Sequence, residues 1–114
     1  MALDQNMKRS VGIFINWMGR PACSVRSPAY VAFKTGAPVL AGFMRQLGPD
    51  EFELVIAEEV EWENWPDDPE KEILINTQKQ ADVIQKIIYE NPELWLWIHQ
   101  RWRNQPRGMK NPYE

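Results

Sequence analysis

Few residues of this 114-residue chain are equipped for chemistry, and arginines lead them. Guanidinium groups grip phosphate and carboxylate through two parallel hydrogen bonds. Arg20, Arg26 and Arg45 each fall at or near the end of an apolar run, in the kind of loop where α/β folds place ligands. An anion-binding role is expected of them, with Arg45 the leading candidate. The alternative is a surface arginine whose stem covers apolar neighbours. Asp4 and Gln5 could line the same site, Asp4 pairing an arginine, or could cap a helix or strand. Cys23, the single cysteine, has no adjacent histidine to activate its thiol and reads as a small buried residue. It cannot close an internal disulfide, which fits a reducing, cytosolic-side location. Neither a Cys-x-x-Cys motif nor a His/Cys cluster offers a zinc site, so no metal or cofactor is expected.

The formal charge of −3 conceals a segregation. Residues 1–49 carry a net +5, residues 50–72 a net −10, and residues 73–114 a net +2. The acidic block reads as a solvated loop leading into a helix. The basic stretches suit an anionic partner, and anionic lipid or an acidic carrier protein fits better than nucleic acid, for which no motif is present. With 44% hydrophobic and 25% charged residues, the chain has the balance of one globular domain, or a piece of one. Its longest uncharged stretches, Ser10 to Gly19 and Thr35 to Met44, fall short of the roughly 18–20 residues that cross a bilayer. Basic residues follow the first apolar ones at the start, the reverse of a secretory signal.

The elements that must position these residues follow from pattern. Val11 to Trp17 reads as a β-branched and aromatic strand buried on both faces, ended by the turn chemistry of Met18-Gly19-Arg20-Pro21. Ser27-Pro28 opens a helix with a serine N-cap and first-turn proline, stopping at Thr35-Gly36. The runs Pro38 to Arg45 and Phe52 to Ala57 are expected to form a hairpin about Leu47 to Glu51. A right-handed crossover would bring these strands into one sheet. Asp68-Pro69 caps a long helix whose inner face carries Ile73, Thr77, Ala81, Ile84 and Ile88. Pro92 to about Arg103 is expected to form a last helix, with Leu94, Trp95, Ile98 and Trp102 on one side. Trp95, Trp97 and Trp102, beside Arg101, Arg103, Arg107 and Lys110, would suit a membrane interface, but their helical spacing favours core packing. The Pro- and Gly-punctuated end from Asn104 is expected to run extended. The count gives an α/β fold of about three strands and three flanking helices, with one sheet face or edge left uncovered.

Several of these features occur together in one known pattern. Asp4-Gln5-Asn6, the strand ending in Trp17-Met18-Gly19-Arg20-Pro21-Ala22, Ala32 to Val39, Arg45, and above all the block from Asn91 to Arg103 resemble the bacterial lipid A biosynthesis acyltransferases. The resemblance covers nearly the whole chain. It implies a partial, incomplete glycerol-phosphate-acyltransferase-like mixed sheet. It also implies an enzyme that moves a fatty acyl chain from acyl carrier protein to a lipid A precursor in lipopolysaccharide biosynthesis, on the cytoplasmic face of the bacterial inner membrane. Arg45, Arg20, Arg26, Asp4 and Gln5 would then hold the precursor's phosphates or the carrier, and peripheral membrane contact is expected.

The family's catalytic signature is a His followed five positions later by Asp or Glu, a general base with the carboxylate that orients it. Here the only histidine, His99, has Asn104 at that position. No catalytic residue is therefore assigned, and residues 1–114 read as the carboxy-terminal part of a single acyltransferase domain, inactive alone. The other reading is a non-catalytic binding module for anionic lipid or acyl carrier protein. Trp17-Met18-Gly19 in place of the family's frequent Phe-Phe-Gly, and Gln100 in place of a frequent basic residue, blur the subfamily.

Overall fold

The computed structural model describes residues 2–114. Strands β1 (Gly12–Trp17) and β2 (Arg20–Val25) form an antiparallel hairpin, followed by helix α1 (Ser27–Thr35). Strands β3 (Leu40–Gly48) and β4 (Glu51–Glu59) form a second hairpin, followed by helix α2 (Pro69–Glu90). A single 3-10 turn at Pro92–Leu94 leads into an irregular terminal segment. The two hairpins remain separate two-stranded sheets, so the crossover into one mixed sheet of three strands does not occur. Among the described residues, four strands and two α-helices replace the expected three and three.

Strand β2 escapes the sequence pattern because Pro21, Cys23 and Ser24 carry little strand signature. It forms because Met18 and Gly19, with φ of 51° and 84°, make a two-residue turn that folds Arg20 back against Trp17. Positive φ at both central positions matches the twist of a tight hairpin. The Asn16 side chain accepts the Gly19 N–H at 2.8 Å and braces the turn. Strand β1 is buried on one face only: Ile15 and Trp17 are in the core while Asn16 is exposed.

Helix α2 binds the molecule together. Asp68 accepts the Lys71 N–H at 3.1 Å, which is the expected cap, and Pro69 occupies the first turn. Ile73, Thr77, Ala81 and Ile88 are buried on its inner face, as the periodicity requires. Gln78 and Gln85, two turns apart, reach the first hairpin. Gln78 Oε1 accepts the Asn16 N–H at 2.7 Å and Gln85 Oε1 accepts the Met18 N–H at 2.6 Å. For α1 the N-cap falls one residue early, on Arg26, and the helix ends at Gly36 in the left-handed region with φ 70°.

The acidic block is more ordered than a solvated loop. Buried Glu72 accepts the Trp62 indole N–H and the Trp65 backbone N–H, both at 2.9 Å, while Asn76 bonds both backbone groups of Glu63. The residues between β4 and α2 thus lie strapped along α2.

The main core joins Leu3, Ile15, Trp17, Ala22, Ala81, Ile88 and Trp95, with Trp102 against it. The second hairpin is poorly covered. Met44, Phe52, Leu54 and Ile56 are all more than half exposed on its outer face. The molecule measures 48 × 40 × 21 Å, a slab rather than a sphere.

Candidate functional site

The sequence-derived arginines do not converge. Arg45 in β3 pairs across the hairpin with Glu53, Nη2 to Oε2 at 2.6 Å and Nε to the same oxygen at 3.2 Å. Arg26, just before α1, pairs with Glu70 near the start of α2 at 3.2 Å and lies over the Tyr30 ring. Arg20 opens β2 and borders a shallow groove with Phe14, Pro21 and Pro106. Asp4 is half-buried and Gln5 exposed near the start of the chain. The structure brings no two of the three arginines to a shared partner. Arg20 alone among them has no ion pair among the described residues.

His99 sits on the terminal segment with its Nε2 accepting the backbone N–H of Asn6 at 3.0 Å. Among the described residues no carboxylate bonds to its ring. The adjacent Asn104 donates its side-chain amide to Met7 O at 2.7 Å and takes Asn6 Oδ1 on its backbone N–H. His99 and Asn104 therefore fasten the terminal segment to residues 6 and 7. A nitrogen already occupied as an acceptor is not poised to take a proton from a substrate hydroxyl.

The expected helix from Pro92 to Arg103 is not formed. Trp95 and Trp102 turn inward and meet edge to face at 6.1 Å, with Trp95 also 5.9 Å from Trp17. Leu96, Trp97 and Ile98 instead face solvent, 64%, 53% and 87% exposed. Trp97 caps the chain by donating to Pro92 O at 2.6 Å. The backbone gives up helical bonds because one side chain in it has a deeper destination.

That side chain is Arg101, to which the sequence pattern assigned no role of its own. It is not at a lipid surface but wholly buried, stacked over Trp17 with its guanidinium carbon 4.8 Å from the ring. It donates to Cys23 O at 2.9 Å, to Leu3 O at 3.2 Å and to Ser24 Oγ. Burial pulls its pKa down to about 10, opposed chiefly by the negative charge of Asp4. The thiol of Cys23 beside it is buried as expected and pushed up by desolvation. The one sequence signal for this role was the small-residue pair Cys23-Ser24, which leaves room for a guanidinium under β2.

A groove opens between α1, the start of β3 and α2, with a volume of about 270 Å³. Val31, Val39, Leu40 and Ile84 line it, and Gln80 supplies its polar group. Among the described residues no group of three or more His, Cys, Asp or Glu could hold a metal ion. No helix among them is long and apolar enough to cross a membrane.

A family model described as bacterial lipid A biosynthesis acyltransferase matches residues 1–104. The chain belongs to that family. Comparison with curated proteins returned no match. Membership carries an acyltransferase-type function in lipid A biosynthesis, with an acyl donor, a lipid A acceptor and membrane association. The match takes in Asp4, Gln5, Arg20, Arg26, Arg45, His99 and Arg101. It does not confirm a glycerol-phosphate-acyltransferase fold, and the two small antiparallel sheets differ from the mixed sheet the resemblance implied.

Proposed function

We propose that these residues form the carboxy-terminal part of an acyltransferase domain that transfers a fatty acyl chain from acyl carrier protein to a lipid A precursor. The setting is the cytoplasmic face of the bacterial inner membrane. On this reading the chain is inactive alone, because the base that deprotonates the acceptor hydroxyl lies outside it. The observation that carries the reading is the state of His99, the only histidine, whose Nε2 is engaged by Asn6 and which has no carboxylate to orient it. The uncovered outer face of the second hairpin supports the same view, since a two-stranded sheet is barely stable without a packing partner.

Arg20 and Arg45 are proposed to meet the phosphates of the precursor or acidic groups of the carrier. Among the described residues Arg20 has no competing ion pair, and the Arg45–Glu53 pair is exposed enough to open at little cost. Arg26, Asp4 and Gln5, which lie apart from Arg45, are proposed to meet such groups separately rather than in one shared grip. The test supplies acylated carrier protein and lipid A precursor to the purified chain and follows labelled acyl transfer. Background transfer is expected, and turnover well above a protein-free control would overturn the reading.

A second reading, a binding module for anionic lipid, has its own observation. Leu96, Trp97 and Ile98 form an exposed apolar run on a segment that also exposes Arg103, Arg107 and Lys110. Such mixtures sit well at charged headgroups. Retention on anionic vesicles, released by about 0.5 M salt, supports this reading. Equal retention on neutral vesicles rejects it.

A further inference from the structure

We propose that two copies of this chain pair about a two-fold axis, each seating its Ile98 in the groove that the second hairpin and α2 of the other copy enclose. Ile98 is more exposed than any other large apolar side chain among the described residues. It stands at the corner of a turn closed by the His99 N–H on Leu96 O at 3.0 Å. Side chains pin that turn from both sides: Trp97 donates to Pro92 O, His99 accepts from Asn6, and Arg101 just beyond is buried. An apolar knob on a fixed turn loses little further freedom when it docks. The receiving groove, about 440 Å³ in volume, is lined by Met44, Leu54, Ile87, Ile88 and Leu94. Met44 and Leu54 face each other across the hairpin on its uncovered side.

Charge makes a second copy the fitting occupant. Beyond Ile98 the chain exposes Arg103, Arg107 and Lys110, none of them in an ion pair among the described residues. The hairpin carries the opposite sign. Exposed Asp50 and Glu51 at its tip, and Glu59 and Glu61 at its base, are likewise unpaired among the described residues, whereas Glu53 and Glu58 are engaged by Arg45 and Lys86. An apolar run followed by cations thus meets an apolar face bounded by carboxylates. An acidic carrier protein would instead set carboxylates against carboxylates. Leu94 and Trp95 border the groove and residues 96–98 follow directly, so the knob and the socket adjoin on one copy and a two-fold rotation can fill both sockets at once. One seating covers about 1,000 Å² in total, the lower limit for a specific contact, and the reciprocal pair covers about 2,000 Å², within the range of stable interfaces.

Sedimentation equilibrium of the full chain up to about 100 µM should give twice the monomer mass of 13.4 kDa. Ile98→Asp and Leu54→Asp alter exposed positions, so each should keep the far-ultraviolet circular dichroism of the parent. Each breaks both seatings and should weaken pairing about a hundredfold. Mixed in equal amounts, the two variants retain one unaltered seating, Ile98 of the Leu54→Asp chain in the groove of the Ile98→Asp chain, and should recover part of the dimer. Arg103→Glu with Arg107→Glu should weaken pairing about tenfold, and about 0.5 M salt should weaken the parent but not this double variant. A monomer at about 100 µM overturns the proposal, as does a dimer that tolerates Ile98→Asp and Leu54→Asp, or a mixture that recovers nothing. A parent that is monomeric in solution yet retained on anionic vesicles assigns the 96–98 run to lipid and overturns the pairing equally. Mass is read without substrate, so this result stands apart from that of the transfer assay.

Discussion

Replacing Arg101 by methionine tests how the terminal segment is held. The substitution keeps an unbranched stem and removes every guanidinium donor. Cys23 O would retain its bond from the Met7 N–H at 3.0 Å, so it is not orphaned. Leu3 O and Ser24 Oγ lose the Arg101 bonds that the structure gives them. Two buried acceptors at about 1–3 kcal/mol each set the gross loss. Relief from burying an unpaired cation, which has one nitrogen, Nε, without a partner, offsets part of it. The expected net destabilisation is about 3 kcal/mol. In urea, at a slope of about 1–3 kcal/mol per molar, the midpoint falls by about 1–3 M. Arg101→Lys sharpens the test. An ammonium keeps the charge but not the planar fork that spans three acceptors, nor the stack on Trp17, so it should recover less than half of the loss. A midpoint unchanged in Arg101→Met, or full recovery in Arg101→Lys, would refute the argument that fork geometry fixes this segment.

Further expectations concern neighbouring groups. Any side chain at Gly12 would place its Cβ 2.5 Å from Cys23 Sγ and 2.9 Å from Ser24 O, so Gly12→Ala should force the first hairpin apart and cost about 2 kcal/mol in thermal or urea unfolding. The Cys23 thiol should resist an aromatic disulfide reagent in the native chain and react at once in denaturant. Its folded pKa lies above the ordinary value of 9.0, so its contribution to stability is full below that value and lost as pH rises through the folded one. Cys23→Ala should remove that alkaline slope. Glu63 takes a hydrogen bond from the Trp65 indole and pairs with Lys79 at 3.2 Å, which lowers its pKa. Its contribution is therefore present above the ordinary carboxylate range and lost as pH falls through the lowered value, and Glu63→Gln should flatten the acid limb of the stability profile.

Local chemistry was the legible part of this fold. Asp68-Pro69, Gly36 and the spacing from Ile73 to Ile88 announce α1's end and α2 because caps and helical periodicity are written within a few residues. The second hairpin is announced in the same way, by two apolar runs about Gly48-Pro49-Asp50. Strand β2 was not legible, because Pro21 is tolerated only where a sheet has a free edge, and that edge is a tertiary fact. The terminal tryptophans have helical spacing, yet Arg101 and the meeting of Trp95 with Trp17 and Trp102 override it. For the site, arginines could be picked out by type but not by fate. Arg45 and Arg26 meet carboxylates from elsewhere in the chain, and Arg101, named only beside the terminal tryptophans, is the one that the core absorbs.

Initial-rate transfer from acylated carrier protein to a lipid A precursor, compared among the chain, its His99→Ala variant and a blank, tests most directly the proposal that these residues hold no catalytic base. The account expects three indistinguishable rates. Transfer by the parent that disappears in His99→Ala would show that this histidine removes the proton after all.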